Sequence, residues 1–276
     1  MRLERFRGAK AAELAALRRA ESSGTLPPPW SGTRPDFAAA LAAPPGRGPL
    51  NVVAEYKRAS PSRGVICEAL AVEDVARRYA EAGASALSIL TEVEWFRGEL
   101  AFLARARRAL EECGGPALPL LRKDFILDPL QVVATAATPA SALLLIVRLT
   151  PGAALLRDLR ERAESYGMAA VVEVFDAEDL ALARESGARI IQVNARDLDS
   201  LKVDREAPLA LIRACPPLPG ETWIAASGMD SVAHLERAAE AGYRAALVGT
   251  ALMARGEPGA ALARLLAGAG EAAHAD

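Results

Sequence analysis

Eight short apolar runs alternate with amphipathic segments, glycines stand at the helix-to-strand turns, and no linker interrupts the chain after residue 51. Together these predict an α/β fold, a single (β/α)8 TIM barrel with an extra N-terminal helical segment. The apolar runs fall at residues 51–56, 86–90, 119–122, 142–147, 169–174, 189–193, 222–226 and 245–248. Segments of helical period lie between and after them at 72–82, 100–112, 153–166, 177–186, 207–214, 231–241 and 259–267. Gly83, Gly167, Gly187 and Gly242 each follow a helix and precede a strand, where a left-handed cap is needed. Strands that alternate with helices imply right-handed βαβ units and a parallel sheet. Eight units favour closure into a barrel, and an open doubly wound sheet is the alternative.

Before the first strand, residues 4–19 carry Phe6, Leu14 and Leu17 among charged side chains at helical spacing, which predicts one amphipathic helix. A Pro/Gly-rich loop at 22–35 leads to Asp36, the expected N-cap of a short Ala-rich helix, and a second such loop spans 44–49. Residues 1–50 are therefore expected to form a helical extension packed on a barrel of residues 51–276, one domain overall.

Composition narrows the function. A net charge of −2 leaves no general basic field for nucleic acid or an acidic membrane, so an anionic ligand needs a local cluster of cations. The longest apolar run, 142–147, is too short to span a bilayer, and the charged N-terminus has no secretory h-region. Cys67, Cys113 and Cys215 are odd in number and form no CxxC pair, which fits a reducing cytoplasm better than a disulfide framework or zinc site. Only His234 and His274 are present, which argues against a metal centre built on histidine and against a Ser-His-Asp triad.

In a barrel the chemistry belongs at the C-terminal ends of the strands. The first strand ends in Glu55-Tyr56-Lys57, so Glu55 and Lys57 share a face at the barrel mouth. The third ends in Arg122-Lys123-Asp124-Phe125, the fifth in Val172-Glu173-Val174 and the sixth in Asn194-Ala195-Arg196-Asp197. Arg122 and Asp124 have a structural reading, as charges that pair across strands. Glu173, flanked by valines, has fewer, because a buried carboxylate needs a cation or hydrogen-bond donor. After the seventh and eighth strands come Ser227-Gly228-Met229 and Gly249-Thr250-Ala251. Small residues with free backbone N–H groups there suit a phosphate, while tight βα turns are their structural explanation.

These motifs, with Ser60-Pro61-Ser62-Arg63-Gly64 after the first strand, Trp95-Phe96-Arg97-Gly98 and Asp128 with Gln131, resemble the indole-3-glycerol-phosphate synthase family along most of the chain. The resemblance implies ring closure of 1-(2-carboxyphenylamino)-1-deoxyribulose 5-phosphate with loss of CO2 and water, in tryptophan biosynthesis. It assigns catalytic work to Lys123 as general acid and Glu173 as base, with Glu55, Lys57 and Asn194 positioning the substrate. Ser60, Phe96, Phe125, Arg196, Leu198 and Ser227 correspond to substrate-binding positions, and Lys57, Ser227, Gly228, Gly249 and Thr250 to the phosphate site. No metal or organic cofactor is implied, because proton transfers suffice. The expected partner is a small phosphorylated anion, and the expected form is a cytoplasmic monomer or weak homo-oligomer.

Two positions depart from the family pattern. Ala226 stands where members usually carry Glu, and Ala195 where they usually carry Asn or Ser. The segment from Thr138 to Ala142 also replaces a usual Gly-Ala-Asp-Ala turn. The competing readings are another phosphate-binding barrel enzyme and a non-catalytic relative that binds a similar ligand. The joint presence of Glu-x-Lys-x-x-Ser-Pro-Ser and Lys-Asp-Phe argues against the first, and the missing carboxylate at Ala226 motivates the second.

Overall fold

The computed structural model describes residues 2–115, 117–198 and 200–267, so His274 lies outside the described residues. Three helices precede the barrel: α1 (Arg2–Ala9), α2 (Ala11–Ser22) and α3 (Phe37–Ala42). The strands are β1 (Asn51–Tyr56), β2 (Ala86–Leu90), β3 (Leu120–Lys123), β4 (Ala142–Ile146), β5 (Ala169–Val174), β6 (Ile190–Asn194), β7 (Thr222–Ala226) and β8 (Ala245–Val248). Each pairs in parallel with the next, and β8 pairs with β1, so the sheet is a closed barrel and the open alternative is excluded. Outside it lie α4 (Val72–Ala82), α5 (Phe102–Glu112), α6 (Pro129–Ala136), α7 (Ala153–Ser165), α8 (Ala177–Glu185), α9 (Glu206–Ala214) and α10 (Val232–Ala241). The chain then adds α11 (Thr250–Met253) and α12 (Pro258–Leu266). No helix among the described residues is long and apolar enough to cross a membrane.

Local chemistry accounts for the elements. The strands are buried along almost their whole length, because side chains alternate between a barrel interior and a helical layer, both dry. The helix stripe of α4, with Val72, Val75, Ala76 and Tyr79 buried, covers the outside, and Gly83 ends it at φ +96°. Asp36, Asp176 and Ser231 accept backbone N–H bonds at the starts of α3, α8 and α10. Helix α6 was not foreseen. Its signal is Asp128-Pro129, where Asp128 accepts the Leu130 N–H and proline occupies the first turn. Three strands also differ from expectation: β3 and β6 each lie one residue further on, at Leu120–Lys123 and Ile190–Asn194, and β4 stops at Ile146 because Val147–Leu149 form a 3-10 turn.

Two apolar cores result. The larger lies between the strands and the helices and contains Trp223, Tyr79, Leu103 and Tyr243. The smaller fills the barrel with Val53, Leu121, Leu144, Val171, Ile190 and Ile224, and Phe37 and Leu41 of α3 join it. Asn51, at the start of β1, donates to the carbonyls of Leu41 and Ala43, so α3 is fastened under the N-terminal end of the barrel. Arg34 donates to the carbonyls of Ala136, Thr138 and Ala140, closing the end of α6 and the turn that departs from the family pattern.

The single helix expected over residues 4–19 is two helices that turn at Lys10. A buried network explains the break. Lys10 Nζ lies 2.7 Å from Asp124 Oδ1 and also pairs with Glu13. Arg122 Nη2 lies 2.8 Å from Asp124 Oδ2 and 3.0 Å from Glu13 Oε1, while Nη1 donates to Thr135 Oγ1 at 2.7 Å. Thr91 Oγ1 and the Phe125 N–H also donate to Asp124. A continuous helix would carry Lys10 past this carboxylate and leave a buried charge without its partner.

Burial by itself would raise the Asp124 carboxyl, but Arg122 and then Lys10 outweigh it, and the group titrates below its ordinary 3.8. A depressed carboxyl contributes stability that is complete above the ordinary value and lost as pH falls through the folded one. Asp124→Asn is therefore expected to lower stability near neutral pH by about 3 kcal/mol. The gap from wild type should narrow below about pH 3.8. Urea unfolding across pH checks both, and a gap constant with pH would show that the carboxylate charge does not anchor the network.

Candidate active site

Strand register brings the polar ends together. Glu55 is level with Ser88, Leu90 with Lys123, Ile146 with Glu173, and Asn194 with Ala226. Glu55 and Lys57 form an ion pair at the end of β1, and Ser88 Oγ donates to Glu55 Oε2 at 3.3 Å. Lys57 keeps partial access to solvent, while Glu55 is fully buried. Gly249 is demanded by this arrangement: a Cβ built there would overlap Glu55 Oε1 and lie 3.0 Å from Cδ.

Lys123 leaves the end of β3 with its Nζ 3.5 Å from Oε2 of Glu173 on β5. The Glu173 side chain is buried, and the partner its valine-flanked position required is thus a cation across the barrel. Gln192 Nε2 donates to the same carboxylate oxygen. Arg122, one residue before Lys123, faces the other way into the network beneath α2; its carboxylate partners are Asp124 at the same strand end and Glu13 of α2, not a residue of a neighbouring strand.

Asn194 Oδ1 accepts from the Arg196 N–H at 2.9 Å and from Ser227 Oγ at 2.8 Å, which locks the amide and leaves Nδ2 without an acceptor among the described residues. Ser227 adopts φ +66° and Gly228 φ +75°, a left-handed pair unusual for serine. The turn packs tightly, since a Cβ on Gly228 would lie 2.9 Å from Val203 Cγ1. Arg196 Nη1 donates to Leu201 O at 2.9 Å, and burial, followed by the neighbouring Arg63, pulls its guanidinium below the ordinary value. Crowded cations of this kind are relieved by an anion.

A cavity of two joined lobes opens at the barrel mouth. The first, of about 770 Å³, is bounded by Lys123, Glu173, Asn194 and Lys57, with Ser60, Leu198 and Ser227 at its rim. Its apolar wall is Phe96, Phe125 and Phe6 with Leu144 and Ile146, and Phe6 stacks on Phe125 at 4.5 Å between centroids. The second, of about 810 Å³, is bounded by Glu55, Gly228, Gly249 and Arg63, and shares Lys57, Arg196, Ser227 and Thr250 with the first. Thr250 and Ala251 open α11 there, and the first N–H groups of a helix have no intrahelical acceptor. Among the described residues no three His, Cys, Asp or Glu side chains gather in a way that could hold a metal ion.

Every site residue taken from the resemblance lines one lobe or the other. Four more were missed. Phe6 gave no local signal, since its partner Phe125 is far along the chain. Glu92 accepts the N–H groups of Glu94, Trp95 and Phe96 and so shapes the loop that presents Phe96; burial raises its carboxyl, against the pull of those donors. Arg63 lay inside a quoted motif without a role. Gln192 was visible as a polar residue inside the apolar run 189–193.

Gly249→Ala is expected to drive Glu55 off Lys57 and to destabilise the chain by about 1–3 kcal/mol, as overpacking does. Chemical denaturation checks this, and an unchanged midpoint would show that the Glu55 carboxylate has another place to go.

The model of the indole-3-glycerol phosphate synthase family matches residues 3–265. The indole-3-glycerol phosphate synthase of Desulfotalea psychrophila is 39% identical over 270 residues, covering 95% of this chain and 97% of that protein. The enzyme of the same name from Albidiferax ferrireducens is 39% identical over 232 residues, 84% of each chain. Among solved structures, a 3-hexulose-6-phosphate synthase superposes with a TM-score of 0.62 at 18% identity, covering 79% of this chain and 99% of that one, a likeness of fold alone. The family model spans the barrel and its N-terminal helices, and with these relatives it shows that the chain belongs to the indole-3-glycerol phosphate synthase family.

Proposed function

We propose that this chain is an indole-3-glycerol-phosphate synthase, a carboxy-lyase that closes the ring of 1-(2-carboxyphenylamino)-1-deoxyribulose 5-phosphate. The observation that carries the reading is the Lys123–Glu173 pair, an acid and a base 3.5 Å apart that both line the lobe with the aromatic wall. The aromatic wall of Phe6, Phe96 and Phe125 suits the carboxyphenyl ring. The lobe of Arg63, Arg196, Lys57 and the α11 N-terminus suits the phosphate.

The chemistry follows from this placement. The ring carbon bearing the carboxylate attacks the ribulose C2 carbonyl, and the ammonium of Lys123 protonates the oxygen as charge develops there. The carboxylate then leaves as CO2, and its bonding pair restores aromaticity. Glu173 removes the proton next to the carbon bearing the hydroxyl, and the hydroxyl leaves with an acid's proton as water. Asn194 Nδ2 and the Glu55–Lys57 pair orient the hydroxyls and the amine. We read residues 1–50 and 51–276 as one domain, supported by the network that Lys10 and Glu13 share with β3. The unpaired Cys67, Cys113 and Cys215 support a reducing cytoplasm, and we take the working form to be a monomer or weak homo-oligomer.

Ala226 favours one second reading, a relative that binds the ligand without turning it over. The position is buried beside Asn194 and supplies no carboxylate to the mouth. A continuous fluorescence assay for indole-3-glycerol phosphate separates the two. Wild type is expected to turn over, and Lys123→Ala to lose about 10²–10⁴-fold in kcat. Bound substrate without turnover in the wild type would favour the second reading.

A further inference from the structure

Gln192 sits in β6 directly opposite Glu173 of β5, wholly buried inside the barrel. Its Nε2 donates to Glu173 Oε2, and its own Oε1 is buried with no partner among the described residues. The reverse amide orientation would set two oxygens against each other, so the donor must face the carboxylate. A buried carbonyl without a donor is a cost to folding, and a side chain of similar volume without the amide would avoid it. The amide is thus explained by what it does to Glu173.

We propose that Gln192 is a positioning residue for the base. With Lys123 it loads Oε2, and the proton goes to Oε1, which accepts no hydrogen bond among the described residues. This rests on the role given to Glu173 above. Lys123 is the only cation among the described residues that pairs with Glu173, while Lys57, Glu92, Asp124 and Arg196 border the same cavity. The amide fixes the carboxylate without adding a charge among them.

The test compares wild type, Gln192→Met, Glu173→Gln and the double variant on the carboxyphenylamino-deoxyribulose phosphate. Gln192→Met is expected to keep or raise the thermal midpoint while kcat falls about 10–100-fold and KM stays within about twofold. In single turnovers CO2 release should run ahead of indole fluorescence, because only the proton removal after decarboxylation is slowed. The double variant should be no slower than Glu173→Gln alone. Gln192→Asn, with the amide on a shorter stem, should fall between, and carries the test if the methionine variant does not fold. A Gln192→Met enzyme with wild-type kcat, or equal slowing in the Glu173→Gln background, overturns the positioning role alone. A wild type without turnover overturns the functional reading and this inference together.

Discussion

The mouth of the barrel depends on one buried carboxylate. Asp124 gathers Lys10 from the turn between α1 and α2, Arg122 from β3 and Thr91 from the end of β2. Lys123 lies between Arg122 and Asp124, so the strand end that presents it is held on both sides. Buried ions are tolerated only when each is paired, and the network meets that condition with Glu13 as the second acid. The same turn at Lys10 delivers Phe6 to Phe125, so one electrostatic constraint sets both the reach of the cation and the wall it faces.

The site itself is built from paired opposites. Lys57 is matched by Glu55, and Lys123 by Glu173, so each cation is oriented by a carboxylate less exposed than itself. Arg63 and Arg196, which have no ion-pair partner among the described residues, lie to one side, where burial already pulls the Arg196 guanidinium down. This distribution supports a phosphate in the cationic lobe and an aromatic ring against the phenylalanines of the other. Ala226 takes a carboxylate out of this pattern, and the neutral amide of Gln192 adds order without restoring charge.

Much of this was legible beforehand. Period and spacing carried the eight strands, because a strand buried on both faces reads as an unbroken apolar run, and capping residues such as Asp36 announce helices by their own short-range bonds. The motif residues Glu55, Lys57, Lys123, Glu173 and Asn194 stand out because a charge or amide at the end of an apolar run is costly unless partnered. Helix α6 carries its signal in Asp128-Pro129, the N-cap and the first-turn proline, rather than in an apolar period.

The sequence by itself determined the barrel, its helical preface and the roster of polar strand ends, since these rest on local period, capping and desolvation cost. Only the tertiary structure decided that the first helix ends at Lys10, that Arg122 turns away while Lys123 meets Glu173, that Phe6 joins the apolar wall, and that the Gln192 amide donates to Glu173. Each of these is a contact between residues distant in the chain. Its energy depends on barrel closure and strand register, which no short stretch of sequence encodes.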